Sequence, residues 1–156
     1  MSVYQYGFWE VSIEKHGRIK LPTALLKSLP ESERKRFWVA HGFGNHIMLW
    51  TESAYLEQIR FLNSIDRNDI QAKRYRNAFL RNITQVECDS QDRIVIPKPF
   101  MENYKLEKEV VLLLDNGRIE LWNQANYHAQ YTISPDEMEQ LNAQIHSDNL
   151  REENQN

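Results

Sequence analysis

Hydrophobic and polar positions alternate along this chain in short stretches, a pattern that predicts strands joined by turns. The segments "FWVAHG" (37–42) and "IMLW" (47–50) predict one hairpin, and "VVLLLDNGRIELW" (110–122) predicts another. Asn116-Gly117 favours a type I′ turn in the second hairpin, because both central residues of that turn need positive φ. Pro22 and Pro97 end their strands, and one or two helical turns are expected after each.

This order of elements occurs twice. The segment "IEKHGRIKLP" (13–22) matches "CDSQDRIVIP" (88–97) at an offset of 75 residues, and Trp50 matches Trp122 at an offset of 72. Such self-similarity indicates one supersecondary unit used twice. Neither copy alone is expected to bury its apolar face.

Helical periodicity predicts elements between and after the two copies. A helix is expected from residue 52, with Thr51 as its N-cap and an apolar face made of four residues: Tyr55, Leu56, Ile59 and Leu62. A second is expected over 68–82, with a packed set, Ile70, Ala78 and Phe79, and an outward set, Lys73, Arg74, Arg76 and Arg81. Ser134 and Glu137 predict a capping box for a third helix over 135–150. The final "REENQN" is expected to be disordered.

The charge of the chain is unevenly distributed. The net charge is −3, but residues 1–80 carry +4, residues 81–130 carry −2 and residues 131–156 carry −5. The body that precedes the acidic C-terminal segment therefore suits a nucleic-acid partner only mildly. No apolar run approaches the roughly 18 residues of a membrane span, and the first residues lack the pattern of an export signal. With a single cysteine, Cys88, these features predict a soluble cytoplasmic protein.

Each copy contains an acid-x-x-x-Arg motif at the turn that enters its apolar strand. The motif is "EKHGR" in the first copy (Glu14 to Arg18) and "DSQDR" in the second (Asp89 to Arg93). A turn carboxylate can accept backbone N–H bonds or hold the arginine in a fixed pose. A preorganised guanidinium binds a phosphate or a guanine edge bidentately. Because the motif occurs twice in register, we interpret it as functional.

These two segments, with the intervening "DIQAKRYRNAFLRNITQVE" and the later "LEKEVVLLLDNGRIELWNQANY", resemble the MraZ family of bacterial transcriptional regulators over residues 5 to 130. The resemblance implies an α+β fold in which two tandem AbrB-like (SpoVT-type) half-barrels form one pseudo-symmetric swapped-hairpin β-barrel. It places the repeats at 5–52 and 82–126, a helical connector at 53–81, and a C-terminal helix with a polar acidic tail at 127–156.

The resemblance also implies a function. It implies sequence-specific binding to double-stranded DNA at tandem promoter repeats, a ring-like homo-oligomer, nucleoid association, and control of the division and cell wall gene cluster, which we expect to be repression. The expected DNA-binding residues come from the two motifs and their basic neighbours: Arg18, Arg93, Glu14, Asp89, Lys15, Lys20 and His16. Lys98 is a further basic neighbour.

Two residues depart from the family pattern. Glu14 stands where aspartate is usual, and its longer side chain is less suited to closing an Asx-type turn. Asp92 stands where the first copy has Gly17, and it tolerates positive φ less well than glycine. We expect the extra carboxylate to weaken the field of Arg93 toward phosphate.

Other chemistry is less well supported by the sequence. The four tryptophans (Trp9, Trp38, Trp50 and Trp122) are interpreted as core or subunit-interface anchors rather than base-stacking residues, and Cys88 as a small core residue. The histidine and cysteine spacings predict no metal site, and no motif predicts a cofactor, a small-molecule substrate or an enzyme.

The arginine-rich segment 73–81 is interpreted as a solvated helix face, with DNA contact as the alternative. The main rival function is a ring-forming scaffold or antitoxin-like interaction module with weak operator binding.

Overall fold

The computed structural model describes residues 4–155, in which strands and helices follow one another in the order that the repeat predicts. The strands of this part of the chain are β1 Tyr6–Ser12, β2 Arg18–Lys20, β3 Arg36–His41, β4 Ile47–Trp50, β5 Thr84–Glu87, β6 Arg93–Val95, β7 Glu109–Asp115 and β8 Arg118–Asn123. The helices are α1 Thr23–Lys27, α2 Glu52–Ser64, α3 Ile70–Asn82, α4 Lys98–Asn103, α5 Gln124–Tyr131 and α6 Pro135–Gln155. The chain divides into two compact units, with the boundary between Asn126 and Tyr127.

The two copies exchange strands within one antiparallel sheet. Its strand order is β1-β7-β8-β4-β3-β5, so the first strand of each copy pairs with the third strand of the other. The second strands, β2 and β6, pair with each other in a separate two-stranded ribbon. This exchange confirms the predicted α+β class and explains why neither copy could form its sheet alone.

An approximate two-fold axis relates the copies. Equivalent residues face each other across it: Ile19 is paired with Ile94 in the ribbon, and Met48 with Glu120 in the large sheet. Backbone bonds away from the axis occur in matched pairs. Leu21 N donates to Asp92 O at 2.9 Å, and its counterpart Ile96 N donates to Gly17 O at 3.0 Å. The repeated sequence therefore specifies repeated hydrogen bonds.

Alternate residues of β3 and β4 belong to two hydrophobic clusters on opposite faces of the large sheet. Phe37, Val39, Ile47 and Leu49 belong to the main core, which also contains Ile19 and Ile94 of the ribbon. The intervening residues of the same strands meet α2 and α3 in a smaller cluster made of Ala40, Met48, Trp50, Leu62 and Phe79. The ribbon is therefore anchored on its inner side by fully buried isoleucines.

Several local predictions match the structure. Thr51 Oγ1 accepts from Ala54 N at 3.3 Å at the start of α2. Ser134 Oγ accepts from Glu137 N at 3.2 Å at the start of α6. Asn116 and Gly117 have φ of 48° and 90°, as a type I′ turn requires. The residues after Pro22 and Pro97 form α1 and α4.

Other predictions about the helices are wrong. Ile70 and Ala78 are exposed, because the packed face of α3 runs instead through Ala72, Phe79 and Leu80. Leu56 lies at the edge of its helix face and is 44% exposed. The segment 151–155 is helical and continues α6 to Gln155, since it contains good helix formers and no glycine or proline; Asn156 lies outside the described residues. The sequence pattern also missed α5, which Asn123 caps by accepting from Asn126 N at 3.1 Å.

Trp50, the last residue of β4, and its equivalent Trp122, the next to last residue of β8, are both buried but differ in their partners. Trp122 Nε1 donates to Glu120 Oε1 at 2.8 Å. The residue equivalent to Glu120 in the first copy is Met48, and Trp50 Nε1 has no hydrogen-bond partner among the described residues. The tryptophans are thus core residues, as predicted, with Trp9 and Trp38 partly buried. Across residues 4–155, none of the helices combines the length and apolar character needed to cross a membrane.

Candidate nucleic-acid interface

The outer side of the β2–β6 ribbon gathers the cationic residues that the sequence singled out. Register pairs Arg18 with Val95 and Lys20 with Arg93, and strand alternation turns these four residues away from the buried Ile19 and Ile94. Arg18 and Lys20 are exposed, and Val95 is 49% exposed. The ribbon therefore presents three cations and one apolar side chain on a single face.

The first turn leads from β1 into β2. Glu14 N donates to Arg18 O at 2.7 Å, and Lys15–Gly17 form a 3-10 turn with positive φ at His16 (64°) and Gly17 (74°). A Cβ on Gly17 would lie 3.1 Å from Ile96 O, so glycine fits here for both its conformation and its size. The Glu14 side chain makes no capping bond to its own turn, in keeping with its expected poor fit to an Asx-type turn.

The second turn is closed by its acid. Asp89 Oδ1 accepts from Gln91 N at 2.8 Å and from Arg93 N at 2.9 Å. The bonds from the Arg93 and Gln91 backbone, aided by the charges of Arg93 and Arg18, hold the pKa of Asp89 below its usual range. Asp92 takes φ of 61°, the position of Gly17 in the first copy. Aspartate thus adopts the left-handed conformation that the turn requires.

The two turns are joined by an ion pair that crosses between the copies. Glu14 Oε2 accepts from Arg93 Nε at 2.6 Å. Gln91 Oε1 accepts from Arg93 Nη1. The bond from Glu14 raises the pKa of Arg93 above its usual value. The local acid-x-x-x-Arg pattern does not indicate this contact, because it pairs each arginine with the acid of its own copy.

Arg18 is placed differently from its equivalent. Within residues 4–155 its side chain makes no hydrogen bond or ion pair, although its charge acts on Asp89. It lies beside Lys20 on β2, with Lys15 and His16 exposed in the preceding turn. The first turn therefore offers an unengaged guanidinium in basic surroundings.

Cys88 lies directly before the motif acid of the second turn. Burial, followed by the charges of Asp92 and Asp89, raises the pKa of the Cys88 thiol to about 11. Cys88 is half-buried against the main core, as expected of a small core residue. The expected weakening of the field of Arg93 by Asp92 stays a prediction.

All seven predicted site residues lie in or beside the two turns. Lys98 instead pairs with Glu102 at 3.8 Å on the exposed side of α4. Val95 and Gln91 are not among the predicted site residues, although the alternation of "RIV" places Val95 on the same side as Arg93. No group of three or more metal-ligating side chains occurs among the described residues.

Two of the four basic side chains of α3 donate hydrogen bonds to residues of α2 or α3. Arg76 Nη2 donates to Asn63 Oδ1 at 3.2 Å, and Arg74 Nη1 donates to Gln71 Oε1 at 3.3 Å. Lys73 and Arg81 are exposed. These contacts favour the interpretation of a solvated helix face.

Comparison with known proteins gives a consistent result. A family model for the MraZ protein, described as antitoxin-like, matches residues 79–154. The chain is similar to the transcriptional regulator MraZ of Cytophaga hutchinsonii, with 24% identity over 135 residues that cover 86% of this chain and 89% of the relative. The MraZ regulators of Desulforamulus reducens (28% identity, 82% and 89% covered) and Mycoplasmopsis pulmonis (25%, 87% and 90%) match similarly. The resemblance drawn from the sequence motifs is confirmed.

Proposed function

We propose that this chain, which is similar to transcriptional regulators named MraZ over most of its length and matches the MraZ family model over residues 79–154, is a member of that family. We infer that it is a sequence-specific DNA-binding regulator, without enzymatic activity, that represses the bacterial division and cell wall gene cluster. It acts in the cytoplasm, on the nucleoid, as a ring-like homo-oligomer bound to tandem promoter repeats. The name of its relatives, transcriptional regulator, supports the role in transcription.

The observation that carries this proposal is the outer face of the β2–β6 ribbon. A two-stranded ribbon has the width that the major groove of B-DNA admits. The guanidinium of Arg18 has no partner among residues 4–155, so a guanine edge or a phosphate could engage it, and Lys20 supplies a charge for phosphate. The exposed Val95 beside Arg18 suits apolar contact with a thymine methyl group.

One ribbon per chain provides limited affinity. A good bidentate base contact contributes about 1–3 kcal/mol of discrimination. Several subunits facing tandem repeats would convert later contacts into intramolecular ones, with gains of roughly 10² to 10⁴. A ring suits this arrangement because each subunit uses the same heterologous interface and the assembly closes.

Fluorescence anisotropy with the promoter region of the organism's own division cluster, at several salt concentrations, tests the proposal. Arg18→Ala should reduce affinity and flatten the salt dependence by about 0.9 for each phosphate that the variant no longer neutralises. Lys73→Ala on α3 is the matched control, since it removes an exposed cation outside the ribbon. Loss of binding in Lys73→Ala alone would move the interface to α3. Size-exclusion chromatography of each variant shows whether its assembly is intact.

The role of tandem repeats has its own test. Shortening the DNA from several repeats to one should lower affinity by at least about 10²-fold if the subunits bind together. Equal affinity for the single repeat would contradict binding through the combined contacts of a ring. A DNA of unchanged length with scrambled outer repeats controls for non-specific phosphate contacts.

A second candidate function is an interaction scaffold or antitoxin-like module with weak operator binding. The ion pair between Glu14 and Arg93, together with Asp92, favours it because both reduce the positive charge available at the second turn. Correctly assembled wild-type protein that fails to bind any fragment of its promoter region at low salt would favour this alternative.

A further inference from the structure

We propose that Glu14 limits DNA affinity by occupying Arg93 of the other repeat, so that the first turn binds DNA fully and the second only after Glu14 is displaced. This inference rests on the proposed function. It concerns the regulation of the same site by a carboxylate of this chain.

The geometry of Arg93 supports competition. Two of its three guanidinium nitrogens already donate to side chains of this chain, Nε to Glu14 at 2.6 Å and Nη1 to Gln91. A phosphate or a guanine edge needs two parallel donors of the same planar group. The Arg93 side chain retains 23% of its exposure, so DNA would have to break existing bonds to use it fully.

The acid residues explain why only one arginine is engaged. Asp89 uses its carboxylate to close its own turn, through bonds to Gln91 N and Arg93 N. Glu14 makes no such bond and its longer side chain reaches Arg93 instead. A glutamate in the first motif and an aspartate in the second therefore free Arg18 and restrain Arg93.

Displacement of Glu14 has a double cost. DNA must replace a short charge-assisted hydrogen bond, and the released carboxylate remains beside the incoming phosphates and repels them. Asp92 adds a second negative charge at the same turn. Neutralising Glu14 removes both effects at once.

The experiment compares wild type with Glu14→Gln, which keeps the size of the side chain, and Glu14→Asp, which we expect to close its own turn as Asp89 does. Glu14→Gln should bind the promoter fragment about tenfold more tightly, and Glu14→Asp should gain less because its carboxylate still repels phosphate. In both variants the salt slope should be steeper by about 0.9 for each Arg93 that newly binds a phosphate. Glu31→Gln is the matched control for net charge, because Glu31 is exposed and lies outside the two turns.

A double-mutant cycle shows whether the tighter binding depends on Arg93. Arg93→Ala should weaken binding less than Arg18→Ala in the wild type, and as much as Arg18→Ala in the Glu14→Gln background. Weaker or unchanged binding by Glu14→Gln, with normal loss in Arg18→Ala, would overturn this inference and leave the proposed function standing. Absence of binding in wild type and in every variant would overturn both, whereas binding by Glu14→Gln alone would support the inference.

Discussion

In the second repeat the motif acid bonds to its own turn, whereas in the first it reaches across to the arginine of the other repeat. The two turns share the backbone bond that joins acid to arginine, at 2.7 Å and 2.9 Å, but the first has positive φ at both His16 and Gly17 and the second only at Asp92. Their sequences differ at every position before the arginine, including one methylene in the acid and glycine against aspartate at a left-handed position. The changes of side chain thus keep the backbone bond between acid and arginine and redistribute the charges.

The two repeats place equivalent residues in equivalent surroundings at the axis that relates them. Ile19 and Ile94 face each other at the axis of the ribbon, and both are fully buried. A change at this point affects both halves, whereas a change at an exposed turn affects one. This contrast leads to the following predictions.

The largest effect on stability is expected at the axis. Ile19→Ala and Ile94→Ala should each lower the free energy of unfolding by about 2–5 kcal/mol, because each leaves a cavity in the same core. Urea denaturation followed by tryptophan fluorescence measures both. Val95→Ala, on the exposed side of the same ribbon, is the control and should cost less than about 1 kcal/mol. A small cost at only one isoleucine would contradict the equivalence of the two copies at the axis.

Replacing the motif acids, Asp89 and Glu14, should have smaller and unequal effects on Tm. Asp89→Ala should lower Tm by roughly 2–8 °C at neutral pH, and Glu14→Ala by less, because its ion pair is partly exposed. The pKa of Asp89 is lower in the folded state, so its stabilisation is present above the unfolded pKa and is lost as pH falls through the folded one. The Tm difference from wild type should therefore shrink in acid. A larger effect of Glu14→Ala would mean that the cross-repeat pair, not the Asp89 turn, carries the stability.

The smallest effect on stability is expected at the two equivalent tryptophans, Trp50 and Trp122. Trp122→Phe loses the bond to Glu120, whereas Trp50→Phe removes an N–H that has no hydrogen-bond partner among the described residues. Both lose packing, so Trp122→Phe should be more destabilising by about 1 kcal/mol. Urea unfolding of the two variants under identical conditions measures the difference. Equal costs would show that the hydrogen bond to Glu120 adds nothing beyond packing.

Much of the fold could be predicted because its signals are local. The hairpin at Asn116-Gly117, the caps at Thr51 and Ser134 and the helices after Pro22 and Pro97 depend on neighbours within a few residues. The packed face of α3 was predicted incorrectly, since which side of a helix is buried depends on the surface it meets. The helix of 151–155 was missed because polar composition alone does not exclude a helix that continues from a capped one.

The sequence by itself determined the duplication, the α+β class and the residues of the two turns, because repeated spacing and turn chemistry are written in consecutive positions. Only the tertiary structure decided which acid meets which arginine. Glu14 and Arg93 are 79 positions apart and are brought together by the pairing of β2 with β6. A carboxylate forms its bonds with the groups nearest in space, and these are set by the exchange of strands between the repeats.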